Sequence, residues 1–190
     1  MVADAGRELV DVVDDQDRVV AVVPRRRMRA ERLRHRAVFI MVTSGEGRLL
    51  VHRRSDAKDL WPGWWDVAVG GVVASGETYD EAARRELAEE VGIADPALAV
   101  TPLGGGAYTD DDVALIGRCY AAVWDGPLHF ADGEVTEARL VTRTEYELLR
   151  REVPFLPDSL ALLGDHIERF WAGERPGTSA GPPLPPVTTA

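Results

Sequence analysis

Apolar and polar positions alternate in short blocks along most of this chain, and the blocks predict strands. Glu8–Val13 and Arg18–Val23 are two valine-rich runs flanking the turn-forming Asp14-Asp15-Gln16-Asp17, so residues 8–24 are expected to form a β-hairpin. Ala37–Val42 is a continuous apolar run suited to a buried strand. Ser44-Gly45-Glu46-Gly47 turns it into a second strand, Arg48–His52. Trp65–Val69 reads as a further strand ending at Gly70-Gly71. Leu98–Leu103, Val113–Trp124 and Ala138–Val141 complete the set, with Gly104–Asp112 expected as a flexible loop.

The period changes in three places. From Thr78 the apolar residues Ala83, Leu87 and Val91 recur at helical spacing. Thr78 with Glu81 three residues on is a capping-box signature, and Gly92 is placed to end the helix. Thr144–Arg151 and Asp158–Trp171 are the other helices, the latter striped by Leu160, Leu163, Ile167 and Phe170 or Trp171. Strands mixed with a few helices predict an α/β fold, an α/β/α sandwich around a mixed sheet with the hairpin added at its N-terminal end. A chain of 190 residues suits one such domain, expected over 8–171. Residues 1–7 and the Gly-, Pro-, Ser- and Thr-rich stretch 172–190 are expected to be disordered.

Charge and composition narrow the function. The formal net charge of −10 argues against a nucleic-acid backbone as the partner. Seven arginines in residues 25–36 against the single acid Glu31 make the distribution uneven. Cys119 is the only cysteine, so no intrachain disulfide is available and a reducing compartment is expected. No stretch resembles a signal peptide or reaches membrane-spanning length, and a cytoplasmic protein without membrane partners is the expectation.

The Thr78 helix carries the chemistry. Residues three and four apart share a helix face, so Glu86, Glu89 and Glu90 project together. Like charges at that spacing destabilise a helix, and a hard divalent cation, Mg²⁺ or Mn²⁺, would neutralise them. A cation there can offset the charge of a diphosphate and lower the pKa of a bound water.

The spacing from Gly71 through Glu77 to Arg85-Glu86-Leu87-Ala88-Glu89-Glu90-Val91-Gly92-Ile93 resembles the Nudix box, matching its nine specified positions within 23 residues. The run His52-Arg53-Arg54-Ser55, Lys58, Trp61-Pro62-Gly63, Trp65-Asp66 and Gly70-Gly71 is similar to the Nudix branch that includes isopentenyl diphosphate isomerases. The hairpin followed by Met28-Arg29-Ala30 and Leu33–Ala37 resembles one group of bacterial hydrolases within that branch. The resemblance covers about residues 8–150. It implies the Nudix sandwich and hydrolysis of a nucleoside diphosphate linked to another group. It implies metal-binding positions at Glu86, Glu89 and Glu90, an orienting arginine at Arg85, and bracing of the motif by Gly71 and Glu77. A further acid from a later loop is expected, Glu134 or Glu137. Arg53, Arg54, Lys58, Gly70 and Gly71 are candidates to meet the substrate, although ordinary surface pairing accounts equally well for the three cations.

Two rival functions follow from the same residues. An isomerase would need a cysteine and a histidine where this chain has Gly70 and Val72, which disfavours it strongly. A binding module without catalysis would be expected to have lost box glutamates, and none is lost. Trp61, Trp64 and Trp65 read as packing residues with base stacking as the alternative, Cys119 as a small buried hydrophobe, and the histidines as unconnected with catalysis. The hairpin is expected to extend the sheet or to mediate a homodimer. A small diphosphate is the expected partner; its identity is left open.

Overall fold

The computed structural model describes residues 5–130 and 133–174. Residues 1–4 and the Pro-rich stretch from 175 onward, both expected to be irregular, lie outside the described residues; Ala5–Arg7 form a 3-10 turn. Nine strands are present among the described residues: β1 (Leu9–Val13), β2 (Val19–Pro24), β3 (His35–Thr43), β4 (Leu49–Arg54), β5 (Trp65–Asp66), β6 (Val69–Val72), β7 (Thr101–Thr109), β8 (Ala114–Val123) and β9 (Val135–Val141). The helices are α1 (Arg25–Ala30), α2 (Tyr79–Val91), α3 (Arg143–Glu152) and α4 (Pro157–Trp171).

β3 is the spine of the mixed sheet. It runs parallel to β8 from His35↔Leu115 to Thr43↔Val123, and antiparallel to β6, β1 and β4. Its side chains alternate as a strand requires. Ala37, Phe39 and Met41 enter one core with Tyr146, Leu149, Leu163 and Ile167 of α3 and α4. Val38, Ile40 and Val42 enter the other with Ala83, Leu87 and Val91 of α2. The layers are therefore α/β/α, as the pattern predicts. Among the described residues no helix is long and apolar enough to cross a membrane.

The hairpin joins the sheet through Val12↔His35 and encloses a third small core of Val10, Val12, Val23, Met28 and Val72. Its outer strand β2 leaves Val19, Val20 and Val22 about half exposed or more.

Four elements differ from the sequence expectation. Gly104–Gly106 are not a loop but part of β7, and they pair with β8. A Cβ on Gly105 would lie 2.1 Å from the Gly117 carbonyl oxygen, so glycine here permits close strand approach. Trp65–Val69 is not one strand, because the Asp66 carboxylate accepts the Ala68 N–H at 2.9 Å and turns the chain between β5 and β6. Gly70 and Gly71 lie inside β6 opposite Phe39 and Val38 instead of ending a strand. Six residues of the arginine-rich stretch form α1, which buries only Met28 and so gives no apolar stripe to read.

Candidate active site

The position of α2 follows from its ends. Thr78 Oγ accepts the Glu81 N–H while Glu81 accepts the Thr78 N–H at 2.9 Å, and Gly92 closes the helix in the left-handed conformation at φ 71°. Arg85 precedes the acidic face and organises it. Its Nε and Nη2 hold the two Glu77 oxygens at 2.8 and 2.9 Å, a bidentate pair. Its Nη1 reaches Glu86 at 2.6 Å and Glu89 at 3.0 Å, and Nη2 also donates to the Val72 carbonyl. Glu77 in turn accepts the Ala74 N–H, so the loop before the helix is tied to β6 through one guanidinium.

Glycines receive the two buried carboxylates. Glu86 lies over Gly71, where a Cβ would come within 2.5 Å of its Oε1; Glu90 accepts the Gly70 N–H at 3.0 Å. Glu86 and Glu90 are 8 % and 3 % exposed, whereas Glu89 is exposed. Burial raises the pKa of Glu86 despite Arg85. Burial, then the charge of Glu86, raises that of Glu90. Burial works against Glu77 too, but the hydrogen bonds from Arg85 and Ala74 prevail and hold it below the usual carboxylate range.

These glutamates border a cleft of about 600 Å³ that Gly70, Gly71, Arg85 and Glu134 also line. Lys58 stands at its edge, ion-paired with Glu134 and 4.0 Å from Glu90. Glu137 instead pairs with Arg139 on the exposed face of β9. Arg53 turns to Asp56 and Thr136, and Arg54 lines a neighbouring cavity. Of the residues proposed to meet substrate, Lys58, Gly70 and Gly71 are thus brought to the acidic face, and Arg53 is not. Sequence reasoning missed the contribution of the N-terminus. Arg7, Glu8 and Arg25 line the cleft, with Arg25 held to Glu8 at 3.2 Å. The arginine surplus of 25–36 was the available signal. Trp65 is core, stacked under Arg139, and Trp61 lines the neighbouring cavity.

Among the described residues no three His, Cys, Asp or Glu side chains converge as a ready-made metal cage. Arg85 and Lys58 stand among the carboxylates instead. The donor set nonetheless suits a hard cation: burial raises the pKa of both Glu86 and Glu90, and a cation bound beside them would favour their ionised form.

The family model of the NUDIX domain matches residues 33–163, most of the chain. The chain belongs to the Nudix family. A Nudix hydrolase of Yersinia pestis is 42% identical over 163 residues, 85% of this chain and 87% of that protein. One from Pseudomonas aeruginosa is 39% identical over 162 residues, 85% and 94% of the two chains. The crystal structure of a Deinococcus radiodurans protein superposes with a TM-score of 0.69 at 30% identity, covering 86% of this chain and 99% of that one. The chain is accordingly a Nudix hydrolase, an enzyme acting on acid anhydrides of phosphorus, and Gly71–Ile93 is its Nudix box. The family match begins at Leu33, and Arg7, Glu8 and Arg25, which precede it, line the cleft.

Proposed function

We propose that this Nudix hydrolase cleaves the phosphoanhydride of a nucleoside diphosphate or a nucleoside-diphosphate derivative with water, in a reaction dependent on Mg²⁺ or Mn²⁺. One observation carries the reading: Glu86 and Glu90 are buried side by side on α2 and seated on glycines, in a cleft open to a ligand. Helix faces that are merely solvated do not bury their acids.

Glu86, Glu89 and Glu90 would hold the metal, with Glu134 as the further acid from the loop before β9. Bound there, a divalent cation supplies charge neutralisation for the diphosphate and a more acidic water. The chain's own residues do the rest. The Gly70 N–H fixes one oxygen of Glu90 and leaves the other for a ligand. Arg85 aims Glu86 and Glu89, and its bidentate pair with Glu77 fixes Arg85 in place. Lys58 and Arg25 supply positive charge at the rim for phosphate oxygens. Glu89 is the exposed member and is suited, as is Glu134, to accept a proton from the attacking water.

Glu90→Gln keeps the shape and the Gly70 hydrogen bond but cannot ionise to hold a cation. Its turnover of nucleoside diphosphate substrates should fall by about 10²-fold or more with no loss of thermal stability. A rate equal to the parent's would remove Glu90 from the mechanism. Titration of Mn²⁺ followed by electron paramagnetic resonance reads the metal site directly; tight binding by the Glu86→Gln/Glu90→Gln variant would place the ion elsewhere.

A further inference from the structure

The hairpin ends the sheet in a bare strand. Among the described residues β2 pairs only with β1, so the N–H and C=O groups of its outer edge have no strand beside them. Such edges are pairing sites, and natural strands blunt them with charges, prolines or bulges. β2 carries no charged residue from Val19 to Val23, and Pro24 only closes it. One bulge, at Val20, bends the start of the strand and leaves Ala21–Pro24 in regular register with β1. The side chains are as open as the edge. Val19, Val20 and Val22 are 48, 63 and 50 % exposed. Leu9, which the register puts on the outer face beside Val22, is 52 % exposed. Aliphatic side chains gathered in one exposed place mark a contact surface.

We propose that this edge is the seam of a homodimer, in which two copies of β2 pair antiparallel about a twofold axis at Ala21 and join two sheets into one. The strand's own sequence favours a second copy as the occupant. Val19-Val20-Ala21-Val22-Val23 reads the same in both directions. Antiparallel self-pairing therefore sets Val19 against Val23 and Val20 against Val22, with Ala21 opposite its counterpart on the axis, as an isologous contact requires. Valines opposite one another across a ladder are good sheet neighbours. The flanking charges select the same arrangement. Asp14, Asp15 and Asp17 precede the strand, accompanied by Arg18, and Arg25, Arg26 and Arg27 follow it. Antiparallel pairing brings the acidic turn of each copy beside the arginines of the other, whereas parallel pairing would set like against like. Within one copy Asp14 is held by Arg18, Asp15 by Arg34 and Asp17 by Arg36. Arg25 and Arg27 are likewise held by Glu8 and Glu31. Arg26 is exposed and makes no ion pair among the described residues, which leaves it for the turn of the second copy.

Sedimentation velocity of the full chain across the micromolar range should show a monomer–dimer equilibrium. The double variant Val20→Lys/Val22→Lys places two like charges on each side of the seam. It should raise the dissociation constant by at least about tenfold while the circular dichroism spectrum stays native. Arg26→Glu should raise it by about threefold or more at low salt, with the difference shrinking as salt is added. Ala21→Cys reads the register. Opposite residues of an antiparallel pair have Cα atoms about 4.5–5.5 Å apart, within reach of a disulfide. Mild oxidation of dilute Ala21→Cys should therefore give a covalent dimer, and Ala21→Cys/Val20→Lys/Val22→Lys should not. The native Cys119 is buried and gives no background. A chain that stays monomeric at every concentration, a dimer unmoved by the two lysines, or a dimer that Ala21→Cys fails to lock would each overturn the proposal.

Discussion

Two polar regions of this Nudix hydrolase lie back to back across Gly70-Gly71, and they are finished to different degrees. On the α2 side the buried carboxylates have assigned protein contacts. Glu77 is braced twice by Arg85, Glu86 is held by Arg85, and Glu90 is held by a β6 amide. On the α4 side the fold buries two guanidinium Nε atoms and a serine hydroxyl that have no hydrogen-bond partner among the described residues. The first region is built to keep charged side chains in fixed places. The second leaves buried polar atoms without side-chain or backbone partners among the described residues.

The strand itself is the sharpest place to break this comparison. A Cβ on Gly70 would lie 2.0 Å from the Val38 carbonyl oxygen, a backbone atom of the sheet's spine that cannot swing away. Gly70→Ala should cost about 4 kcal/mol or more in urea unfolding, and a smaller loss would mean β6 can part from β3 without consequence. Next in size is the acid of the second region. Asp158 has a folded pKa of about 7, above its ordinary 3.8, so the folded state holds this proton more tightly than the unfolded chain. Stability is therefore lost as pH climbs between these two values and is level above them. Asp158→Asn should be more stable than the parent at pH 8 by on the order of 2 kcal/mol, with the advantage fading near pH 4. Thermal melts at several pH values read this, and a pH-independent difference would contradict the burial argument.

Gly71→Ala probes the first region alone. The three atoms nearest its Cβ all belong to the Glu86 carboxylate, a side-chain end, so stability should hold within about 1 kcal/mol while kcat falls about tenfold or more. Parental activity would show that the seat of Glu86 is unimportant. The smallest effects distinguish satisfied from unsatisfied hydroxyls. Thr78→Ala removes a working cap and should cost about 1 kcal/mol. Ser159→Ala removes an orphan and should be neutral or stabilise by up to about 1 kcal/mol in the absence of ligand. Equal costs for the two would erase the distinction between the regions.

Much of the first region is legible in the sequence because it is local. Thr78, Glu81, Arg85, Glu86, Glu90 and Gly92 lie on one helix, and spacing alone brings them together. The core alternation of β3 and the stripe of α2 are readable for the same reason, each element having a single dominant period. The second region is not legible. Arg29 comes from α1, Arg54 from β4, Asp66 from β5 and Ser159 from α4, and only the folded sheet collects them. The choice between Glu134 and Glu137 likewise depends on which of them the folded sheet brings to Lys58. Gly104–Gly106 misled because glycines signal loops locally but serve here to let two strands approach.

The parallel pairing of β3 with β8 has a kinetic consequence. Partners such as Phe39 and Cys119 are separated by the whole of the intervening chain, including α2. Closing so long a segment is entropically slow. During synthesis the acidic helix can wind early, from its own caps, yet the middle of the sheet stays open until Val123 has emerged. A ribosome-bound chain ending before that residue would present the Nudix box as an isolated amphipathic helix with its apolar side bare, a natural client for a chaperone.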